Sequence, residues 1–217
     1  MATSSDPSSP PVHGPTRAFW EERFASHQTP WERGSVHPQL MRWLAGGQLD
    51  ARTLGSAIAV PGCGSGFEVA ALAKAGFDVV AVDYAAGAIE QTQLRLQAEG
   101  TTACCVQADV LAWRPDAPLA AVYEQTCLCA LHPDHWVAYA TQLHAWLLPG
   151  GRLFALLMQS EREGAAQGFV EGPPYHCNIH AVRALFAEPS WEWPKPPYDR
   201  VPHPSGVNEL AVVLTRR

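Results

Sequence analysis

The segment Val60-Pro61-Gly62-Cys63-Gly64-Ser65-Gly66 is the part of this chain best equipped for chemistry. Glycines at alternate positions permit positive φ and let main-chain amides approach a ligand closely. The dinucleotide fingerprint GxGxxG would need a third glycine where this chain has Phe67, so the GxGxG spacing disfavours a nicotinamide-dependent dehydrogenase. Asp83 follows about 20 residues after the turn, where a carboxylate can accept from both hydroxyls of a ribose; capping a helix is its alternative role. Asp109, in Gln107-Ala108-Asp109-Val110, is placed to accept from an adenine amino group. Glu124 and Gln125 end a further apolar run. Ligands of open α/β sheets gather at the carboxyl ends of the strands, so one of the two is expected to contact ligand and the other to be structural.

Elements of two kinds must position these groups. Short apolar runs at Ser56–Val60, Asp78–Val82, Ala103–Gln107, Ala120–Cys127 and Arg152–Met158 read as strands. Between them lie helical stretches: residues resuming at Phe67, Ala85–Gln97, and Asp134–Leu148 with Val137, Tyr139, Leu143 and Leu147 repeating. The alternation predicts a parallel sheet with helices on both faces. Before it, Thr16–His27 and His37–Leu49 are predicted helices, separated by a break at Thr29-Pro30-Trp31. After it come a short helix at Ile179–Phe186, a Pro-rich stretch from Pro194 to Pro204, and an apolar strand at Glu209–Thr215. Two closing strands after the last helix fit an antiparallel pair on an otherwise parallel sheet. Residues 1–16 read as a disordered tail and 17–217 as one domain, in which 17–50 form an N-terminal helical lid.

Composition narrows the function. A net charge of -6 without a Lys/Arg cluster argues against nucleic acid as a partner. No apolar run approaches the roughly 20 residues that cross a bilayer, and the polar N-terminus lacks the apolar centre of a secretory signal. None of the six cysteines form a CxxC pair, so they read as buried small hydrophobes in a reducing compartment, and the cytoplasm is the expected location. Cys127 and Cys129 are expected to alternate onto one face of a strand and pack in the core. His132 and His135 are isolated from other ligands, and Asn178 between His176 and His180 suggests a helix start, so no metal site is expected.

The GxGxG turn, Asp83, Asp109 and Leu147-Leu148-Pro149-Gly150-Gly151-Arg152-Leu153, in that order, resemble class I methyltransferases dependent on S-adenosylmethionine. A narrower resemblance lies in Trp20, then Thr29-Pro30-Trp31-Glu32, then Val60-Pro61-Gly62-Cys63-Gly64. These are similar to the thiopurine S-methyltransferase family, which also contains plant thiol and halide methyltransferases. Tyr123-Glu124-Gln125-Thr126, Cys129-Ala130-Leu131 and Gly172-Pro173-Pro174-Tyr175 resemble its bacterial members.

The resemblance implies a Rossmann-like, seven-stranded, mostly parallel sheet with an antiparallel C-terminal strand. It implies S-adenosylmethionine as cofactor, held by Trp20, Phe24, Trp31, Gly62, Gly64, Gly66, Asp83, Tyr84, Asp109, Val110 and Gln125. Two positions depart from the family: Phe24 stands where halide-type members carry tryptophan, and Gln125 where thiopurine-type members carry arginine. The acceptor would be a small molecule, a thiol first. An oxygen, nitrogen or metalloid acceptor, or a cofactor-binding module without turnover, are the alternatives. On the acceptor side the candidates are Glu124 as a base and Tyr175 as a loop residue over the substrate, with His27, Tyr84 and His176 behind them.

Overall fold

The computed structural model describes residues 14–217. Five parallel strands make the centre of one sheet: β1 (Ala57–Pro61), β2 (Asp78–Asp83), β3 (Cys104–Gln107), β4 (Leu119–Gln125) and β5 (Leu147–Gln159). The inner ones are near-continuous apolar runs because helices cover both faces. Along β1, Ile58 and Val60 join one apolar cluster while Ala59 joins the other.

The helices before and between the first strands are α1 (Arg17–Ala25), α2 (Pro38–Ala45), α3 (Ala51–Leu54), α4 (Phe67–Lys74) and α5 (Ala86–Ala98). Leu40 and Trp43 of α2, Val69 and Leu72 of α4 and Leu96 of α5 close the face that holds Ile58 and Val60. α6 (Cys127–Ala130), α7 (Trp136–Trp146) and α8 (Ile179–Leu185) follow. Tyr139, Leu143 and Trp146 of α7, with Val182 of α8, cover the face that holds Ala59 and Val122. α2 starts where the pattern says it should: Pro38 occupies the first turn, and the His37 ring accepts the Gln39 N–H at 3.0 Å.

Three strands complete the sheet: β6 (Trp191–Glu192), β7 (Asp199–Pro202) and β8 (Asn208–Arg216). The strand order is β3-β2-β1-β4-β5-β8-β6, with β7 also on β8. β8 runs antiparallel to β5, and β6 and β7 run antiparallel to β8 at its opposite ends. The sheet therefore has eight strands rather than seven. The outermost position is split because Pro194, Pro196 and Pro197 lie between the two short strands and cannot donate to a ladder.

Three further expectations change. The fourth strand ends at Gln125 instead of continuing to Cys127; Thr126 takes a left-handed φ of 62° and the next residues form α6. Cys127 and Cys129 thus sit on a helical turn, not alternating along a strand, though both are buried. Leu147 pairs with Leu119 at the start of β5, and an irregularity around Gly150, with φ 80°, follows before Ala121 meets Arg152. Of the tail expected over 1–16, residues 1–13 lie outside the described residues. Thr16 accepts the Phe19 N–H at 3.4 Å and caps α1, and Gly14 lies so close to His132 that a Cβ there would stand 2.7 Å from that side chain.

Among the described residues no helix is long and apolar enough to cross a membrane. From β1 the chain proceeds outward to β2 and β3, then returns to β4 on the other side of β1. Such a reversal opens a crevice at the carboxyl ends of the strands.

Candidate active site

The glycine turn lies in that crevice between β1 and α4. Gly66 has φ 75°, and a Cβ there would come within 2.7 Å of Thr92 Oγ1. Thr92 is fully buried on α5 and donates its hydroxyl to the Gly64 carbonyl at 2.8 Å, so only glycine lets the turn settle on that helix. Arg95, one turn further along α5, donates Nε to the Ser65 carbonyl at 2.7 Å.

Asp83 ends β2 beside this turn. One carboxylate oxygen accepts the Gly64 N–H and the other the Ala85 N–H, each at 3.0 Å. The side chain thus ties the turn before α5 to the glycine turn without serving as the N-cap, which is Ala85, while each oxygen keeps a lone pair for a ligand. Burial pushes its pKa up, and the amides of Ala85, Gly64 and Tyr84 oppose that. Asp109 accepts the Leu111 N–H at 2.8 Å and so fixes the turn after β3.

An aromatic wall closes over the turn. α1 is moored to α5 by Glu21, whose carboxylate accepts the Ala86 N–H at 3.0 and 3.1 Å. That amide bond is the main reason its pKa is lowered, and the position at a helix N-terminus favours the charge. Phe24 is buried against Ala85 and Ala88. Trp31 meets Trp20 edge-on at 5.4 Å and Phe24 at 6.0 Å. Next to Trp31, Glu32 accepts the Ser65 N–H at 3.1 Å, the Ser65 hydroxyl, and the Thr29 hydroxyl at 2.9 Å.

A buried ionic chain anchors the segment that follows. Glu209 of β8, with no solvent exposure, accepts from Arg33 and from His37 Nε2, both at 2.8 Å. His37 Nδ1 is occupied by the Gln39 N–H, which fixes the proton on Nε2. The His37 main-chain N–H in turn donates to Glu68 of α4 at 2.9 Å. These contacts hold Glu209 below its ordinary pKa although burial alone would raise it.

The elements enclose a cavity of about 760 Å³. Its wall contains every residue expected to hold the cofactor: Trp20, Phe24, Trp31, Gly62, Gly64, Gly66, Asp83, Tyr84, Asp109, Val110 and Gln125. Pro15 and Thr16 also line it, so the end of the expected tail belongs to the site. Gln125 accepts the Tyr123 hydroxyl at 2.8 Å.

The acceptor-side candidates fare differently, since Tyr84 alone among them lines the cavity. Strand alternation turns Glu124 to the opposite face from Gln125, where it accepts the Leu128 N–H at 2.7 Å and is fully buried. Its carboxylate is thus directed to the first turn of α6 and is absent from the cavity wall. Tyr175 is buried under its own loop: its N–H donates to the Cys129 carbonyl at 2.7 Å and its ring packs edge-on against His132 at 5.3 Å. His27 borders a separate small pocket, and His176 is outside the wall. Arg33, Glu68, His132, His135, His203 and Ser205 are further polar residues of the cavity wall. Glu32 was legible as part of the Thr-Pro-Trp-Glu motif, but His203 and Ser205 carried no local signal, because the β7–β8 hairpin brings them in from a distant part of the chain.

A parallel sheet reversing at β1 and β4, a GxGxG turn, two strand-end aspartates and an aromatic lid define an S-adenosylmethionine-dependent methyltransferase. The sequence profile of the thiopurine S-methyltransferase family matches residues 15–195, and the chain belongs to that family. It is 32% identical over 186 residues to a thiopurine S-methyltransferase of Pseudomonas paraeruginosa, covering 78% of this chain and 81% of that one. It is 28% identical over 164 residues to a probable thiol methyltransferase of Arabidopsis thaliana, covering 74% and 67%. In fold it is similar to the 1,6-didemethyltoxoflavin N1-methyltransferase of Burkholderia thailandensis, solved with S-adenosylhomocysteine, with a TM-score of 0.69 at 20% identity over 95% and 93% of the chains. A magnesium protoporphyrin IX methyltransferase of Synechocystis gives a TM-score of 0.71 at 14% identity over 93% and 99%.

Proposed function

We propose that this enzyme transfers the methyl group of S-adenosylmethionine to the sulfur of a small thiol or thiolate-like acceptor in the cytoplasm. The observation that carries the reading is the single cavity whose wall joins the glycine turn, Asp83, Asp109 and the three lid aromatics to further, unassigned polar residues. The wall fits the cofactor chemically. The glycine turn supplies close main-chain approach for the methionine portion, Asp83 retains lone pairs for ribose hydroxyls, and Asp109 with Val110 borders the place for adenine. Tyr84 and Gln125 complete that wall, and Trp20, Phe24 and Trp31 present π faces suited to a cation. Bound there, the cofactor supplies an electrophilic methyl on a positively charged sulfur.

The chain's own work is then alignment and exclusion of water. Holding two reactants in near-attack geometry can supply roughly 7–11 kcal/mol. The residues 17–50 act as the lid that does this, moored through Glu21, Glu32 and the Arg33–Glu209–His37 chain. Sulfur fits the site because a thiol, with a pKa of about 8.5, ionises in part at neutral pH without a dedicated base. Neither Glu124 nor Tyr175 reaches the cavity to serve as one. Related proteins are a thiol methyltransferase, a thiocyanate methyltransferase and thiopurine S-methyltransferases, which supports the same acceptor atom. Six free cysteines fit a reducing compartment.

The test is calorimetric titration with S-adenosylhomocysteine, followed by assay of methyl transfer from labelled cofactor to hydrosulfide, thiocyanate and thiophenol. Micromolar binding that collapses in Asp83→Ala, with label on a sulfur acceptor, is the expected result. Binding with transfer only to oxygen or nitrogen acceptors would move the function elsewhere within the fold, and no binding by the folded protein would overturn it.

A further inference from the structure

The expected cofactor residues account for part of the cavity wall and leave the rest unassigned. In that remaining part stands His203, at the turn that joins β7 to β8. Its main-chain N–H donates to the Val207 carbonyl at 2.8 Å and its carbonyl accepts the Gly206 N–H at 3.0 Å, so the residue is fixed at both ends of its peptide. A histidine on a hairpin turn would ordinarily face solvent, yet this one is 6% exposed and lines the cavity. Ser205, also in the wall, holds one edge of the ring: its N–H donates to His203 Nδ1 at 3.2 Å and its hydroxyl lies 2.7 Å from the same atom. With Nδ1 accepting a main-chain N–H, the neutral ring carries its proton on Nε2. Nε2 is buried and makes no hydrogen bond of full geometry, the Trp31 main chain being the polar group that acts on the ring from that side.

Arg33 carries a second buried donor without a partner, and Glu209 Oε1, an acceptor, is unpartnered as well. Arg33 Nε is buried and unpartnered, while its Nη2 binds Glu209 and the carbonyl of Pro202, the residue before His203, both at 2.8 Å. Arg33 lines the same cavity. Buried donors left unsatisfied are costly, and their recurrence in one wall marks a place for an electron-rich guest.

We propose that His203 is an acceptor-binding residue, donating Nε2–H to the nucleophilic sulfur of an anionic acceptor, with Arg33 supplying the adjoining donor face. The inference rests on the sulfur-acceptor reading above and assigns the residues that select within it. His203 acts as a donor and takes no proton. Burial lowers its pKa, and the Arg33 charge acts in the same direction against Glu209 and the Trp31 main chain, so the ring is neutral where thiolates form. Such a site favours a compact anion whose charge is on the reacting atom, because a neutral donor and a guanidinium already balanced by Glu209 stabilise it without protonating it.

The experiment compares the full-length protein with His203→Leu, His203→Gln and His203→Asn. It measures acceptor KM and kcat for hydrosulfide and thiophenol, the pH profile of kcat/KM, and S-adenosylhomocysteine affinity. Loss of a hydrogen bond to a charged group predicts that His203→Leu raises acceptor KM by about 10-fold or more. Homocysteine-product affinity should stay within about twofold of wild type. Glutamine places its amide nitrogen near the site of Nε2 and should recover most of the loss; asparagine mimics Nδ1 and should not. The pH profile should follow the ionisation of each acceptor and shift between the two thiols, whereas a base would give one value for both.

Wild-type KM in His203→Leu, equal behaviour of the glutamine and asparagine variants, or an acceptor-independent pH profile would each overturn the proposal. Loss of product affinity in step with melting temperature in all three variants would also overturn it, showing a structural role. If His203→Leu does not fold, the contrast between glutamine and asparagine decides alone. Absence of any transfer to sulfur by the wild type would instead remove the function on which the proposal stands, and both fall together.

Discussion

Glu32 is bound to Ser65: the carboxylate accepts the main-chain N–H at 3.1 Å and the hydroxyl as well, joining the aromatic lid to the centre of the glycine turn. Ser65 is itself held by Gln91 and Arg95 of α5, so one residue connects lid, turn and helix. Lid position and the shape of the cofactor cradle are thereby one property. Glu32→Ala should weaken S-adenosylhomocysteine binding by about 10-fold, the value of a charge-assisted hydrogen bond, with a native circular dichroism spectrum. Glu32→Gln keeps an acceptor oxygen for Ser65 and should lose less. Titration calorimetry of both variants gives the comparison, and equal affinity in wild type and Glu32→Ala would separate the lid from the cradle.

The proposed cofactor site predicts that Trp31 distinguishes the charged cofactor from its neutral product. It packs between Trp20 and Phe24 in the cavity wall, and an aromatic face attracts a cation by roughly 0.5–2 kcal/mol. Trp31→Leu should therefore weaken S-adenosylmethionine more than S-adenosylhomocysteine, by a further factor of about 3 to 30. Equal losses for the two would reduce Trp31 to a hydrophobic wall.

Gly66→Ala tests the seat of the turn. The new Cβ would meet Thr92 at 2.7 Å in a left-handed backbone conformation, which costs on the order of 1–3 kcal/mol before any clash is relieved. A melting temperature several degrees lower, with product affinity reduced at least tenfold, is expected in thermal denaturation and calorimetry. Gly76→Ala, with φ 90° but open space around its Cβ position, should cost stability alone and leave affinity intact.

Glu124 makes stability depend on pH. Burial raises its pKa from the usual 4.5 to about 7, against the opposing amides of Leu128 and Cys127. Between those values the folded chain keeps a proton that the unfolded chain has released, so the contribution of this group falls as pH rises through the window. The full swing is on the order of 3 kcal/mol. Glu124→Gln should flatten it, giving a melting temperature close to wild type at pH 4 and above it at pH 8. Turnover at neutral pH should be largely retained, because the residue caps α6 outside the cavity.

The sequence by itself determined the parallel core, the glycine turn and a set of residues that share one cavity wall, because each rests on short-range chemistry. Strand-ending aspartates, alternate glycines and the Thr-Pro-Trp-Glu break are local patterns, and the residues they named all line one cavity. Where the reading failed, the deciding fact was geometric. Glu124 and Gln125 are neighbours in sequence, yet strand alternation sends them to opposite faces, and only packing shows which face meets the cavity. Thr126 ends β4 in a left-handed conformation that its residue type does not announce, which turns Cys127 and Cys129 onto a helix. The acceptor side was the least legible because it is assembled across long separations. Arg33 reaches Glu209 and Pro202 at the far end of the chain, and His203 lies on the β7–β8 hairpin, which the pairing of β8 with β5 fixes to the sheet. Residues that meet only through tertiary closure leave no spacing to read, so the tertiary structure alone decided which of these groups line the cavity.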